Sequence, residues 1–277
     1  MNRRSFIQKT TSLAAASLIS TELFASNKKI KTFGCQLYSV RDLMPKDAKG
    51  TMEALAKMGY KQFESYSADP FWGMSVEESQ QFLDKIDVKM ISTHMGLNGI
   101  TESLVEKAAK VGLKYIICPS IGPQKDLDAW KQKASEFNKK GELCKKFGLQ
   151  FGYHNHSYSF AFLNGLKGQK ILIDNTDANL VCFELDMCWS EAAGENTIEH
   201  LKQYGNRYEL CHVKQLIVKD PKPKQTDLAD GIIDYSKLLG AASDNGVKYF
   251  FVEQEEYPKD SLTSMKNNAD FLKNLKI

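Results

Sequence analysis

Four side chains, His154, Asp186, His212 and Glu253, are the strongest candidates for chemistry in this chain of 277 residues. Two imidazoles and two carboxylates suit one divalent cation of intermediate hardness (Mn²⁺, Co²⁺, Zn²⁺ or Fe²⁺), with Mg²⁺ within the same donor range. Taken singly, each could cap a strand or satisfy a backbone group. They stand 32, 26 and 41 residues apart, so only a fold that gathers distant strand ends can assemble them.

The rest of the chain supplies such a fold. Apolar, strand-like runs occur at 32–39, 61–66, 88–94, 114–120, 149–156, 180–186, 208–214 and 248–255. Between the first five lie stretches with apolar residues at three- and four-residue steps, at 51–59, 75–86, 102–112 and 127–148. Several of these end at Gly with Lys just before, as helix C-termini prefer. Eight strands alternating with helices predict a single α/β domain, a closed (β/α)₈ TIM barrel. The competing arrangement, a doubly wound open sheet, lacks its G-x-G-x-x-G turn after the first strand. Each run also ends in polar residues: Gln36 and Tyr38, Glu64, His94, Ser120, His154 and His156, Asp186, His212, and Glu253. In a parallel barrel all those ends open onto one face, where barrel enzymes place their active sites. The segment 215–231, rich in Lys and Pro, reads as a long irregular loop beside that face, either a lid or a solvated surface loop.

Here the sequence resembles the sugar phosphate isomerase/epimerase family, the xylose isomerase-like TIM barrels. The matching strings are GCQLYSVRD (34–42), GYHNH (152–156), FELDMCW (183–189), HLKQYGNRYELCHVK (200–214) and VEQE (252–255). The resemblance implies one metal ion held by residues of the fifth to eighth strands, commonly Glu, Asp, His and Glu, which correspond here to His154, Asp186, His212 and Glu253. His154 departs from the glutamate of relatives that shuttle a proton between two glutamates. The implied activity is isomerisation or epimerisation of a sugar or keto-sugar through an enediolate. Loss of a β-leaving group instead would make the enzyme a lyase or dehydratase acting on a keto-glycoside or inosose. A non-catalytic carbohydrate-binding barrel is the reading from another class, and it would need no metal quartet. Glu253, Lys214 and His156 are the candidate bases, with a cation near Lys214 expected to lower its proton affinity. Gln36, Tyr38, Glu64 and His94 are expected to line the mouth. Asn155 and His156 would hold substrate oxygens, and Trp189 would offer a stacking face.

The first 25 residues read as an export signal with a twin-arginine-like RRSFIQK string, an apolar stretch from Leu13 to Ile19 and a cut after Ala25. Residues 26–277 would then form the barrel domain, exported and expected in the periplasm. Losing three basic side chains and one acidic one would take the net charge from +3 to +1. That balance implies no nucleic-acid partner, and no apolar run reaches the roughly 20 residues that span a bilayer, so no stable membrane anchor is expected. The partner is a small carbohydrate, with a homo-oligomer as an option. The six cysteines form no CxxC pair and are expected to be mostly buried thiols, a Cys182–Cys211 contact being the one alternative.

Overall fold

The computed structural model describes residues 29–219 and 222–277; the segment 1–25, read above as an export signal, lies outside them. Eight parallel strands close into a barrel: β1 (Gly34–Gln36), β2 (Gln62–Ser65), β3 (Lys89–His94), β4 (Tyr115–Cys118), β5 (Gln150–His154), β6 (Val181–Asp186), β7 (Tyr208–Val213) and β8 (Tyr249–Val252). β8 pairs back onto β1 through Phe251 and Gly34. Every strand-like run in the sequence is a barrel strand. The surrounding helices are α1 (Ala48–Met58), α2 (Val76–Lys85), α3 (Glu102–Val111), α4 (Leu127–Lys146), α5 (Gly168–Asp174), α6 (Met187–Ala192), α7 (Thr197–Tyr204), α8 (Tyr235–Asp244) and α9 (Ser261–Asn274). Their boundaries follow local chemistry. Asp47, Thr101, Asp126 and Asp260 accept first-turn N–H groups, and Ser75 with Glu78 forms a capping box. α1 and α3 stop at left-handed Gly59 and Gly112.

Two apolar layers hold the barrel. The larger lies between strands and helices; the smaller, Ile91, Tyr115, Ile117, Cys182, Leu210 and Phe251, fills the barrel interior. Space inside is tight. A Cβ on Gly34 would meet the Phe251 ring at 2.4 Å, and one on Gly152 would meet Ile117 at 2.5 Å, so glycine is required where these large side chains cross the axis. This plug closes the barrel below the C-terminal strand ends and sets the floor of the site. All six cysteines are free and buried. Cys182 and Cys211 belong to different layers, inside and outside the barrel wall, which excludes the contact between them.

The described residues of the 215–231 segment carry more regular structure than its composition suggests. Gln215–Val218 and Lys224–Thr226 pair as an antiparallel hairpin, followed by a 3₁₀ turn at Leu228–Asp230. Buried Gln215 explains the order, since its amide bonds the carbonyls of Leu228 and Ile233 and accepts from the Ile233 N–H.

Candidate metal centre and substrate cavity

Above the apolar plug, the strand ends bring His154, Asp186, His212 and Glu253 together, their ligand atoms within 4.8 Å of one another. All four are buried. His154 and Asp186 are the last residues of β5 and β6, His212 is next to last in β7, and Glu253 follows β8 directly. Alternation along a strand makes His212 and Lys214 share the inward face, as Glu184 and Asp186 do.

Glu184 is the residue that sequence reasoning missed. Its Oε2 lies 2.8 Å from His94 Nε2, 3.1 Å from His154 Nδ1 and 3.2 Å from His212 Nε2. Glu64 forms the matching support on the other side, 2.7 Å from His212 Nε2 and 3.1 Å from His94 Nε2, and it accepts from Gln36 and Ser92. The β2–β3 and β6–β7 ladders shift register beside Glu64 and Glu184 respectively. Bulges of this kind re-aim side chains. The two glutamates therefore each occupy one nitrogen of the quartet's imidazoles. What remains is His154 Nε2, 3.7 Å from Asp186 Oδ2, and His212 Nδ1, 3.0 Å from Glu253 Oε2.

A deeper set, His94, His154, Glu184 and His212, also has metal-ligand spacing, but its histidine nitrogens are those already bonded to Glu64 and Glu184. The upper quartet is the better fit. Asp186 supplies the deciding detail. Its Oδ1 accepts from the Trp189 N–H at the start of α6, at 2.8 Å. Its Oδ2 is buried without a hydrogen bond among the described residues, although the Lys214 ammonium stands 3.2 Å away. A buried carboxylate oxygen left with charge contacts alone has donor capacity that a cation could use.

The protein's own buried charges around the quartet compensate one another. Burial opposes the charge on His212, yet Glu184 and Glu253 outweigh it and hold its pKa well above the usual histidine value. Burial likewise opposes charge on His94, but Glu64 and Glu184 raise it to about 9. Burial pushes Glu184 up, and so does Glu64, but the neighbouring imidazoles bring it to about 2. His154 goes the other way, pushed far down by burial and by His212. Burial works against the charge on Lys214, but Asp186, Glu253 and Glu255, the last two at 2.7 Å, hold its pKa well above the ordinary lysine value. Among the protein's own charges, Lys214 is the cation that faces the quartet's carboxylates. His156 is pressed down to about 4 by burial and by Lys214. Its ring stacks on Tyr158 and Trp189, and its Nδ1 has no hydrogen-bond partner among the described residues.

A cavity of about 840 Å³ opens above the quartet. His94, His154, His156, Glu253, Glu255 and Tyr38 line it. Gln36 and Glu64, expected at the mouth, lie fully buried beneath it and serve the imidazoles instead. Asn155 is also committed elsewhere, since its amide donates to the Asp186 carbonyl and accepts from the Asp186 N–H, each at 3.1 Å. It fixes the Asp186 backbone. Trp189 backs the His156 ring, with the Lys214 ammonium 5.3 Å from its ring centre.

The sequence model of the family described as "Xylose isomerase-like TIM barrel" matches residues 52–275. The chain belongs to that family. A xylose isomerase-like barrel is thus the scaffold for the quartet, and the family's relatives here include isomerases, epimerases and dehydratases. The inosose dehydratase of Clostridium perfringens (strain 13 / Type A) is 29% identical over 147 residues, 47% of this chain and 49% of that protein. The chain spans about half the length of the curated relatives it matches. A sugar phosphate isomerase/epimerase from Parabacteroides distasonis ATCC 8503 superposes with a TM-score of 0.76 at 22% identity, covering 88% of this chain and 98% of that one. The 3-keto-D-glucoside 4-epimerase of E. coli gives 0.69 at 15%, covering 89% and 99%. The IolI protein with a bound zinc atom also gives 0.69 at 15%, covering 86% and 95%. At these identities the structures share the barrel fold.

Proposed function

We propose that this xylose isomerase-like barrel is a divalent-metal-dependent isomerase or epimerase of a sugar or keto-sugar. The observation that carries the reading is the pairing of two buried glutamates with the two quartet imidazoles, which leaves one nitrogen of each facing Asp186 and Glu253. His154, Asp186, His212 and Glu253 would hold one divalent ion, and Asp186 Oδ2, which has no hydrogen bond among the described residues, fits that role. The ion would supply Lewis acidity toward a carbonyl oxygen. His156, a cavity-wall imidazole kept neutral by burial, would take a proton from the carbon beside the carbonyl and so form the enediolate. Lys214 stays charged and balances the carboxylates. The protonated His156 would then return its proton to the neighbouring carbon, while Glu255, on the cavity wall, accepts from Lys214 and holds that ammonium in place.

A second reading is β-elimination by the same first step. It is favoured by His154 standing where two-glutamate epimerases carry a carboxylate, and by the inosose dehydratases among the relatives. An exported protein would meet unphosphorylated or glycosidic sugars, which makes the periplasm and such substrates part of the proposal. The test is incubation of Mn²⁺-loaded protein with keto-sugars and keto-glycosides in D₂O. Deuterium in a recovered, rearranged sugar supports isomerisation or epimerisation. Release of water or aglycone supports elimination. Full retention of the C–H next to the ketone in every substrate contradicts both, and sugar binding undisturbed by complete metal removal would favour the non-catalytic barrel.

A further inference from the structure

We propose that the cavity carries a second, aromatic subsite that holds a neutral ring attached to the reacting sugar, so the substrate class is a glycoside. This rests on the carbohydrate reading above. At about 840 Å³ the cavity lies near the top of the roughly 300–1,000 Å³ range for small-molecule sites, more than one sugar ring occupies. The quartet reaches it through His154 and Glu253, while most of its wall comes from the loops after β1 to β4, on the opposite half of the mouth. On that side three aromatic rings interlock. Tyr38 meets Tyr66 edge-on at 5.1 Å, and Tyr66 meets Trp72 at 5.2 Å. Arg41 covers one face of Tyr38 at 4.6 Å, yet the residue stays 38% exposed.

The loop after β2 is built to hold this wall still. Ser67 and Trp72 adopt positive φ angles of 92° and 58°, a strain that persists only where surrounding structure enforces it. Here Ser65 Oγ donates to the Pro70 carbonyl, Trp72 Nε1 donates to Ser65, and the Asp69 carboxylate accepts from the N–H groups of Phe71 and Gly73. The cations on this side are held along the wall. Lys133 pairs with Glu136 at 2.8 Å, and Arg41 donates to the carbonyls of Tyr38 and Glu255 and to the Tyr257 hydroxyl. Aromatic edges and faces suit the C–H face of a second sugar or an aryl aglycone.

Isothermal titration with methyl β-D-glucopyranoside, phenyl β-D-glucopyranoside and cellobiose tests this directly. The expected result is binding of the phenyl glycoside or cellobiose about tenfold tighter than the methyl glycoside. Which of the two gains tells an aryl ring from a sugar ring. The preference should fall toward parity in Tyr66→Ala and in Tyr38→Ala, and persist in Tyr66→Phe, which keeps the ring. Parity in the unmodified protein, a preference that survives both alanine variants, or no binding of any probe overturns the subsite. The methyl and phenyl glycosides carry no free carbonyl, so their comparison is independent of turnover. A ring preference combined with retained C–H in D₂O would remove the enzymatic reading and leave the subsite standing.

Discussion

His212 sits between two buried carboxylates, its Nε2 2.7 Å from Glu64 Oε2 and its Nδ1 3.0 Å from Glu253 Oε2. Glu64 fixes the ring's orientation, and Glu253 shares the site toward which Nδ1 points. Carboxylate support of this kind tunes a metal-binding imidazole without touching the ion. Glu64→Gln is therefore expected to weaken divalent-ion affinity about 10- to 100-fold while the barrel stays folded. Competition against a fluorescent chelator measures it, and an unchanged affinity would mean that His212 is not held for a metal.

Glu184 supports His154 in the same way and also faces His94 and His212. Glu184→Gln keeps the shape but removes the charge shared by three imidazoles. We expect both weaker ion binding and a stability loss of about 1–3 kcal/mol, the usual cost of a broken buried charge-assisted hydrogen bond. Chemical denaturation with and without Mn²⁺ separates the two effects.

Lys214 is the internal counter-charge of the quartet, contacting Asp186, Glu253 and Glu255. Lys214→Met should destabilise the metal-free protein by about 3–5 kcal/mol, because buried carboxylates lose their partner. Added divalent ion should then restore more stability than it adds to the unmodified protein, since it supplies the missing positive charge. Thermal midpoints with Mn²⁺ and with EDTA give the comparison. Equal metal-induced shifts in the two proteins would contradict it.

A pH effect is expected away from the cavity. His200 is buried, with Nε2 2.7 Å from the Tyr208 hydroxyl, and burial lowers its pKa from 6.5 to about 4 despite Glu195 nearby. The folded state prefers the neutral ring, so this contribution is fully present above about pH 6.5 and is lost as pH falls toward 4. A shift of this size corresponds to about 3 kcal/mol at most. Urea unfolding at pH 7 and pH 4.5 should show a smaller drop for His200→Gln than for the unmodified protein.

Much of this arrangement was legible in the sequence because it follows from strand periodicity. The eight apolar runs became the eight barrel strands, and the polar residue closing each run marked the shared face. The supporting layer was harder to read. Glu184 stands two residues before Asp186 and so shares its inward face, a signal that strand alternation alone could have given. Glu64 looked like a mouth residue, but the register shifts beside it and beside Glu184 depend on pairing between strands distant in sequence. Gln36 and Asn155 read as substrate contacts because their amides could bond a sugar; only the assembled barrel commits them to Glu64 and to the Asp186 backbone. The hairpin in 215–231 was hidden by its Lys and Pro content, while the Gln215 amide that orders it carries no local pattern.

The most direct test counts the ion. Protein stripped with EDTA, reloaded with Mn²⁺ or Zn²⁺ and desalted should carry one divalent ion per chain by native mass spectrometry. His212→Ala and Glu253→Ala, checked for fold by circular dichroism, should carry essentially none and lose turnover. One ion retained by both variants, or none in the unmodified protein, would contradict the assignment of His154, Asp186, His212 and Glu253 as the metal centre.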